Sequence, residues 1–298
     1  RILGNKRWTA PLIVDTDDWE GPGGWLDANP NPIPIRAALA WQEGWTLRQA
    51  WAATCASEAL VDRAHALAPG IPTALFPNGP AASLRAEVAA AQAERDALRA
   101  GYGWEGRRVL IYVGTIPLVN DMDIALEAFA TAAGEDAELT WCLIATGDGV
   151  PALRERVGRA GLNGRVEWHG FIPHPEAMRR LVAADIAVYP YRDTNINRSK
   201  CSGKVIDYMA AGKPMVVSDV GMNRVYLTDV EHALLTPPGD GAAFAAALQR
   251  LLADPAYANA LGARAQTRLW ERFAWDRRIA ELEQLYALAP AWRQRAAG

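Results

Sequence analysis

Lysine, cysteine and long apolar runs are all scarce in this sequence of 298 residues. The three cysteines stand far apart and form no Cys-X-X-Cys pair, which argues against a disulfide scaffold and against a thiolate metal site. There is no run of about 18 apolar residues and no basic-then-apolar leader, so we expect neither a membrane-spanning helix nor a signal peptide. These absences predict a protein of the reducing cytoplasm.

An excess of charge of one sign is also absent, because 31 basic residues nearly balance 34 acidic ones and leave a net charge of -3. No overall positive field attracts the chain to nucleic acid, and no nucleic-acid partner is expected. The basic residues are almost all arginine. Three of the four lysines, Lys200, Lys204 and Lys213, lie within fourteen residues of one another, which singles out this segment for anion binding.

Short apolar segments alternate with segments of helical periodicity from about residue 108 onward. Strands are predicted at 109–113, 140–145, 165–168, 186–189, 215–218 and 233–235. Helices are predicted after Asp121 as N-cap and at about 151–160, 175–183, 203–211 and 241–253. This alternation predicts the α/β class, with an open six-stranded parallel sheet covered by helices on both faces.

The beginning of the sequence contains only part of such a pattern. An apolar run at 11–14 leads into Asp15-Thr-Asp-Asp-Trp-Glu, and a loop rich in glycine, proline and asparagine follows at 21–34. A helix near 36–51 and a short apolar segment at 71–76 come next. We therefore expect an α/β domain that is about half present.

The segment 195–214 carries the strongest chemical signal. Val205 and Met209 form the core-facing stripe of a helix, which leaves Lys204 and Asp207 together on another face. A solvated ion pair is the ordinary explanation of such a pair. A lysine in the first turn opposes the helix dipole, however, and a bound anion would reverse that penalty.

A phosphate group at this helix start would meet several positive partners. The backbone N–H groups at Ser202 and Gly203, the helix dipole, and the ammonium groups of Lys200 and Lys204 all favour an anion there. Asp207, one turn further along, would accept hydrogen bonds from ribose hydroxyls. The segment therefore indicates phosphate binding, with the solvated ion pair as the alternative.

Glycine-containing loops follow three of the predicted strands. They are Val113-Gly-Thr-Ile-Pro117, Ala145-Thr-Gly-Asp-Gly149 and Trp168-His-Gly-Phe-Ile172. Glycine lets the backbone approach a ligand closely, and it equally serves a tight turn. Because the carboxyl ends of parallel strands share one edge, we expect these loops to converge on a single crevice.

Several motifs follow one another in a particular order along the second part of the chain. They are Gly114, Gly147-Asp-Gly149, His169-Gly170, Ala184-Asp-Ile-Ala-Val-Tyr-Pro190 and Lys204-Val-Ile-Asp-Tyr-Met-Ala-Ala-Gly-Lys-Pro-Met-Val-Val217. In this order they resemble the donor domain of a family 4 glycosyltransferase of the GT-B fold. The resemblance spans about 105–288, and Met209-Ala-Ala-Gly-Lys-Pro is its most specific part.

Upstream, Glu43, Thr54-Cys-Ala-Ser57 and Phe76-Pro-Asn-Gly79 resemble the end of the same family's acceptor domain. The resemblance thus implies two Rossmann-like domains, the first of them incomplete at its N-terminus. We expect a partial acceptor-side domain over 1–79 and a domain that binds the nucleotide-sugar donor over 80–270.

A helix over 83–99 is expected to link the two domains. Residues 271–298 are expected to form a C-terminal helix that crosses back to the first domain, with Asp276 as its N-cap.

The resemblance implies roles for individual residues. Asp207 stands where a family glutamate binds the ribose, and Ser199 stands where another glutamate contacts the donor sugar. Thr115 and Asn120 replace an arginine and a lysine that contact the diphosphate in the family. The implied donor-binding set is Gly114, Thr115, Asn120, Gly147, Gly170, Phe171, Ser199, Lys200, Ser202, Gly203, Lys204 and Asp207.

Within this set, Lys200 and Lys204 would supply the positive charge missing at Thr115 and Asn120. The backbone around Gly170 would face the nucleobase.

The activity implied by the resemblance is transfer of a hexosyl group from a nucleotide-diphosphate sugar to a glycan, lipid or other acceptor, with retention of configuration. The helix dipole and Lys204 would stabilise the leaving diphosphate without a metal ion or other cofactor. Asp17 and Asp18, after the first strand, would be the catalytic carboxylates of the acceptor side. Acidic residues at a strand end also serve as loop caps.

Two other functions fit parts of the sequence. Asp15-Thr-Asp17 and Gly147-Asp-Gly149 resemble haloacid-dehalogenase-type phosphatases, although Val150-Pro follows where that family has Asn-Asp. The same aspartates resemble the metal motif of the other glycosyltransferase fold, which the long parallel pattern disfavours. A non-catalytic nucleotide-sugar-binding module would explain the departures from the family at the sugar and diphosphate positions.

The tryptophans and histidines give weaker signals. Trp41 and Trp45, one helical turn apart, indicate either buried packing or a peripheral membrane contact. The four histidines are dispersed along the chain, so no metal site is expected from them.

Overall fold

The computed structural model describes residues 11–29, 31–117 and 121–287. They form two compact units. The first contains the chain up to Asn78, the segment Thr194–Cys201 and the chain from Asp276 onward, and the second contains Gly79–Asp193 and Ser202–Trp275. The three-part domain division inferred from the sequence did not place 194–201 with the N-terminal residues, and it remains a prediction.

The first unit contains a three-stranded parallel sheet. Its strands are β1 (Ile13–Thr16), β2 (Ala52–Cys55) and β3 (Thr73–Leu75), in the order β1-β2-β3. Strand β1 extends two residues beyond the predicted run because Asp15 and Thr16 pair with Thr54 and Cys55 of β2.

Three helices lie in this part of the chain: α1 (Trp25–Ala28), α2 (Ile33–Gln49) and α3 (Glu58–Leu67). Helix α2 begins before the predicted start near 36, since proline is tolerated in the first turn. Helix α3 was not predicted, although Ser57 is an N-cap whose hydroxyl accepts a hydrogen bond from the Leu60 backbone at 3.3 Å.

The predicted linking helix is in fact two helices, α4 (Leu84–Ala93) and α5 (Arg95–Tyr102). Both pack against helix α8 (His174–Ala183) of the second unit. After the break at Glu94, Arg95 and Arg99 donate to the Asp185 carboxylate at 2.8 and 3.1 Å. The break therefore coincides with the start of a partly buried charge network.

The second unit contains a parallel sheet of six strands, as predicted. They are β4 (Arg108–Thr115), β5 (Leu139–Thr146), β6 (Val166–Trp168), β7 (Ile186–Tyr189), β8 (Met215–Ser218) and β9 (Leu234–Thr236). Their spatial order is β6-β5-β4-β7-β8-β9. The order reverses between β4 and β7, and in open α/β sheets such a reversal opens a crevice at the carboxyl ends of the strands.

Helices connect these strands and continue to the end of the described chain. They are α6 (Met122–Glu135), α7 (Val150–Arg159), α8, α9 (Asn195–Ser199), α10 (Gly203–Ala210), α11 (Asn223–Tyr226), α12 (Gly241–Ala253), α13 (Pro255–Arg272) and α14 (Trp275–Ala287). None of the helices in the described ranges is long and apolar enough to cross a membrane.

The helix ends agree only in part with the sequence-based predictions. Asp121 occupies the predicted N-cap position of α6, but its side chain makes no capping hydrogen bond, and its carboxylate accepts hydrogen bonds from Arg192. Helix α14 begins at Trp275, so Asp276 lies in its first turn. Helix α13 was missed, although Asp254 caps it by accepting from the Tyr257 backbone at 2.9 Å.

The core of the second unit is built from aromatic and branched side chains on both faces of the sheet. Phe129 of α6 packs on Trp141 of β5 with ring centroids 5.4 Å apart, and both side chains are fully buried. Val205 and Met209 of α10 are also fully buried, as predicted. Their burial fixes the rotation of α10 and leaves its other face toward the crevice.

Helix α13 packs closely on the turn after α10, and a glycine makes this approach possible. A Cβ at Gly262 would lie 2.2 Å from the Gly212 carbonyl oxygen, whereas a Cβ at the helical Gly134 would meet nothing within 4 Å. We expect Gly262→Ala to destabilise the protein by about 1–3 kcal/mol through overpacking. Gly134→Ala should be neutral or stabilising by up to about 1 kcal/mol, and equal effects in urea unfolding would contradict this packing.

Candidate functional site

Loops after β4, β5, β6 and β7 meet at the carboxyl edge of the six-stranded sheet. The Ile116 backbone donates to the Thr146 carbonyl at 2.7 Å, and the Gly149 backbone donates to the Ile116 carbonyl at 3.0 Å. The Tyr191 backbone donates to the Ser218 hydroxyl at 2.8 Å. The first two hydrogen bonds join the loops after β4 and β5, and the third joins the segment after β7 to the end of β8.

Lys204 lies over the end of β4, where Gly114 makes room for it. A Cβ at Gly114 would lie 1.7 Å from Lys204 Cε, and this glycine has φ +144°. The neighbour that requires a glycine here is thus the lysine side chain of α10. The close approach of the backbone to a ligand at this glycine stays a prediction.

The ammonium group of Lys204 is held in an unusual environment. It lies 6.0 Å from the centre of the Tyr189 ring, and partial burial lowers its pKa while the charge of Asp207 raises it. Among the described residues, no hydrogen bond or ion pair partner is found for Lys204 Nζ. A partly desolvated ammonium without such a partner is suited to receive an anion.

The start of α10 supplies further hydrogen-bonding groups. The Ser202 hydroxyl accepts from the Lys204 backbone at 3.3 Å and caps the helix. Gly203 is exposed, and a Cβ there would meet nothing within 4 Å. The helix terminus therefore offers backbone N–H groups and open space beside the ammonium.

Asp207 lies one turn further along α10 and is half-buried. Its Oδ2 lies 3.2 Å from Nε2 of His174, the first residue of α8. The hydrogen bond to Asp207 is the main cause that raises the pKa of His174. The sequence did not reveal this partner, since 33 residues separate the two.

The remaining predicted residues of the second unit line the same edge. Gly147 has φ +113°, and a Cβ there would lie 2.4 Å from the Ile116 carbonyl oxygen. Thr115 is exposed, while its carbonyl accepts from the Tyr112 hydroxyl at 3.0 Å. Gly170 has φ +62°, and Phe171 is 83% exposed. Asn120 lies outside the described residues.

Other predicted site residues belong to the first unit. Ser199 is fully buried and its hydroxyl donates to the Ile196 carbonyl at 2.9 Å. Lys200 donates to Asn197 Oδ1 at 3.1 Å and lies 5.4 Å from the Trp25 ring centre. The Ser199 hydroxyl thus donates within its own helical turn, and the donor-contacting role of this residue stays a prediction.

Asp17 and Asp18 follow β1 at the carboxyl edge of the smaller sheet. Asp17 is exposed, and Asn78 donates a hydrogen bond to it. Partial desolvation, the nearby charge of Asp18 and that of Asp15 raise the pKa of Asp17. A carboxyl group of this kind can exchange protons at higher pH than an isolated aspartate.

The third clustered lysine does not contribute to the crevice. Lys213 precedes β8 at the amino edge of the sheet, where its buried ammonium donates to the Val182 and Ala184 carbonyls at 2.7 and 2.8 Å. Burial lowers its pKa to about 7. Its role is to bind the carbonyls at the end of α8.

One group of side chains has the composition of a metal site. Cys142, Glu167 and His169 place one ligand atom each within 4.8 Å of the others, because Cys142 pairs with Glu167 across β5 and β6. Trp104 Nε1 already donates to both Glu167 oxygens at 3.0 and 3.1 Å, and burial raises the pKa of the Cys142 thiol. These contacts favour a structural role for the cluster.

Comparison with known proteins identifies the larger unit. Residues 107–254 match the family described as glycosyl transferases group 1. This segment is a glycosyl transferases group 1 domain. The chain is also similar to a 2-deoxystreptamine glucosyltransferase of Streptomyces kanamyceticus, at 29% identity over 221 residues, 72% of this chain and 54% of that protein.

A D-inositol 3-phosphate glycosyltransferase of Rhodococcus jostii is 31% identical over 209 residues, which cover 66% of this chain and 44% of that relative. The chain thus spans about half the length of the curated relatives it matches.

Solved structures support the same fold. Sucrose-phosphate synthase from Thermosynechococcus elongatus has a TM-score of 0.66 at 22% identity, covering 96% of this chain and 68% of that one. Anabaena HepE in complex with UDP-glucose has a TM-score of 0.73 at 17% identity, covering 93% and 72%. The glycosyltransferase domain and its N-terminal partner therefore have the GT-B fold that the sequence motifs predicted.

The packing of Lys204 on Gly114 predicts that substitutions at these two positions are energetically coupled. Gly170 also has a positive φ but has open space around it. We expect Gly114→Ala to lower the free energy of unfolding in urea by about 1–3 kcal/mol more than Gly170→Ala does. Adding Lys204→Ala to Gly114→Ala should recover part of that loss, because the clash is with the lysine. Strictly additive effects in the double variant would disprove the contact.

Proposed function

We propose that this protein transfers a hexosyl group from a nucleotide-diphosphate sugar to an acceptor, with retention of configuration. The observation that carries the proposal is the Lys204 ammonium, which lies partly desolvated over the end of β4 with no hydrogen-bond partner found among the described residues. Cleavage of a sugar–diphosphate bond leaves negative charge on the diphosphate. A cation already in place lowers the energy of that developing charge.

The proposed donor site uses α10 as its support. The diphosphate binds Lys204 and the backbone N–H groups at Ser202 and Gly203, and Asp207 accepts from the ribose hydroxyls. The nucleobase lies along the backbone of Gly170 and Phe171. In this proposal the protein itself supplies the positive charge for the leaving group, and no metal ion or cofactor takes part.

The relatives support a nucleotide-sugar donor. The curated ones are named as a glucosyltransferase and as glycosyltransferases, and the HepE structures contain UDP and UDP-glucose. UDP-glucose is therefore the first donor to test. The acceptor is a glycan, lipid or other hydroxyl-bearing molecule, and Asp17 or Asp18 is proposed to interact with it.

A non-catalytic nucleotide-sugar-binding module is the second candidate. It is favoured by Ser199, whose buried hydroxyl is bound to the Ile196 carbonyl at the position assigned to the donor sugar. The haloacid-dehalogenase alternative is withdrawn, because the segment containing Gly147-Asp-Gly149 belongs to the glycosyl transferases group 1 domain.

The donor site predicts a loss of affinity in two single variants. UDP-glucose binding, measured by isothermal titration calorimetry, should weaken about 10- to 100-fold in Lys204→Met and in Asp207→Asn, the effect of removing one charge-assisted hydrogen bond. The matched control is Glu155→Ala/Arg159→Ala, which removes an exposed ion pair of α7. Equal affinity in all variants would refute the site.

Turnover separates the two candidate functions. An enzyme should hydrolyse the donor slowly even without acceptor and release UDP, and Lys204→Met should abolish this release. Tight UDP-glucose binding with no UDP release, with or without a panel of glycan and lipid acceptors, would favour the binding module.

A further inference from the structure

The helix that carries His174 does not favour a charged histidine at this position. It is the first residue of α8, directly after Pro173, and its side chain is 55% exposed. A cation in the first turn opposes the helix dipole, so α8 by itself disfavours the charged imidazole. The Nε2 to Asp207 Oδ2 distance of 3.2 Å supplies the opposing interaction.

Packing fixes both partners of this contact. Helix α8 is anchored by the buried side chains of Met178 and Leu181, and α10 by those of Val205 and Met209. Since neither helix can rotate without exposing these side chains, the imidazole and the carboxylate are held facing each other across the edge of the sheet. Such a contact can orient a carboxylate for a ligand.

The charges that act on His174 come from two neighbouring helices, α10 and α4. Asp207 of α10 and Glu87 of α4 both raise its pKa, with Asp207 the stronger of the two. Lys204, within α10 itself, also interacts electrostatically with Asp207. Asp207 therefore interacts with a lysine and with a histidine, and histidine is the side chain type that ordinarily titrates near neutral pH.

We propose that His174 is a positioning residue that holds Asp207 in place for the ribose and makes nucleotide-sugar binding depend on pH. The proposal rests on the donor site described under Proposed function. One Asp207 oxygen accepts from the imidazole, which leaves the other free to accept from a ribose hydroxyl. The protonated imidazole makes a charge-assisted hydrogen bond to Asp207, which is stronger than the one made by the neutral imidazole.

The direction of the pH effect follows from the contact. Because the pKa of His174 is raised in the folded protein, the ion pair is complete at low pH and is lost as pH rises through the folded pKa. The affinity for UDP-glucose should therefore fall about 3- to 10-fold between about pH 6 and about pH 8. UDP-glucose keeps the same charge over this range, so the protein alone causes the change.

The contact itself is tested without nucleotide. In a histidine NMR titration, His174 should titrate above the usual imidazole pKa, and Asp207→Asn should lower its pKa. A His174 resonance that is unaffected by Asp207→Asn would overturn the proposal.

Binding variants test the consequence. His174→Gln can still donate to Asp207 but cannot titrate, so calorimetry should give an affinity for UDP-glucose that no longer varies with pH. His174→Ala should bind about 3- to 10-fold more weakly than His174→Gln at both pH values. The control His65→Gln replaces an exposed histidine of the first unit that has its own partner, Thr73, and should retain the wild-type slope.

The outcomes distinguish this proposal from the proposed function. If UDP-glucose and a panel of other nucleotide sugars all fail to bind the wild-type chain, the donor site is wrong and the role of His174 falls with it. If UDP-glucose binds and His174→Gln keeps the wild-type pH dependence, the donor site stands and only the role of His174 is disproved.

Discussion

The packing of one lysine stem across one glycine is the contact on which the rest of the crevice depends. Lys204 crosses the end of β4 so closely that any side chain at Gly114 would overlap Lys204 Cε. This contact joins α10 to the end of β4, which together with β7 flanks the reversal of strand order. It also removes the ammonium from bulk water, which lowers its pKa. Removing a cation from water without pairing it destabilises the folded protein. Such a residue therefore indicates a function, and a bound anionic ligand would offset the loss of hydration.

The wall beneath this cation is built from tyrosines whose hydroxyls stay neutral. Tyr208 accepts from the Val113 backbone at 3.1 Å, and Tyr112 donates to the Thr115 carbonyl. Burial raises the pKa of both hydroxyls. The tyrosines therefore satisfy the backbone at the end of β4 without adding negative charge. A carboxylate could accept from the Val113 backbone in place of Tyr208, but its negative charge would compete with a diphosphate for Lys204.

Patterns that are local in sequence predicted much of this fold. Apolar runs located all six strands of the larger sheet, and the Val205–Met209 spacing placed Lys204 and Asp207 on the crevice side of α10. Features set by contacts distant in sequence could not be predicted. The extension of β1 depends on pairing with β2, and the partner of Asp207 arrives from α8.

The lysine cluster shows that residues close in sequence need not belong to the same site. Lys204 and Lys213 are nine residues apart, yet α10 runs between them and carries them to opposite edges of the sheet. Lys213 reaches two backbone carbonyls, and arginines form most of the ion pairs with carboxylates, as at Asp185. Lysine is therefore informative at position 204, where its stem packs over Gly114, and at position 213 it has a structural role unrelated to the ligand.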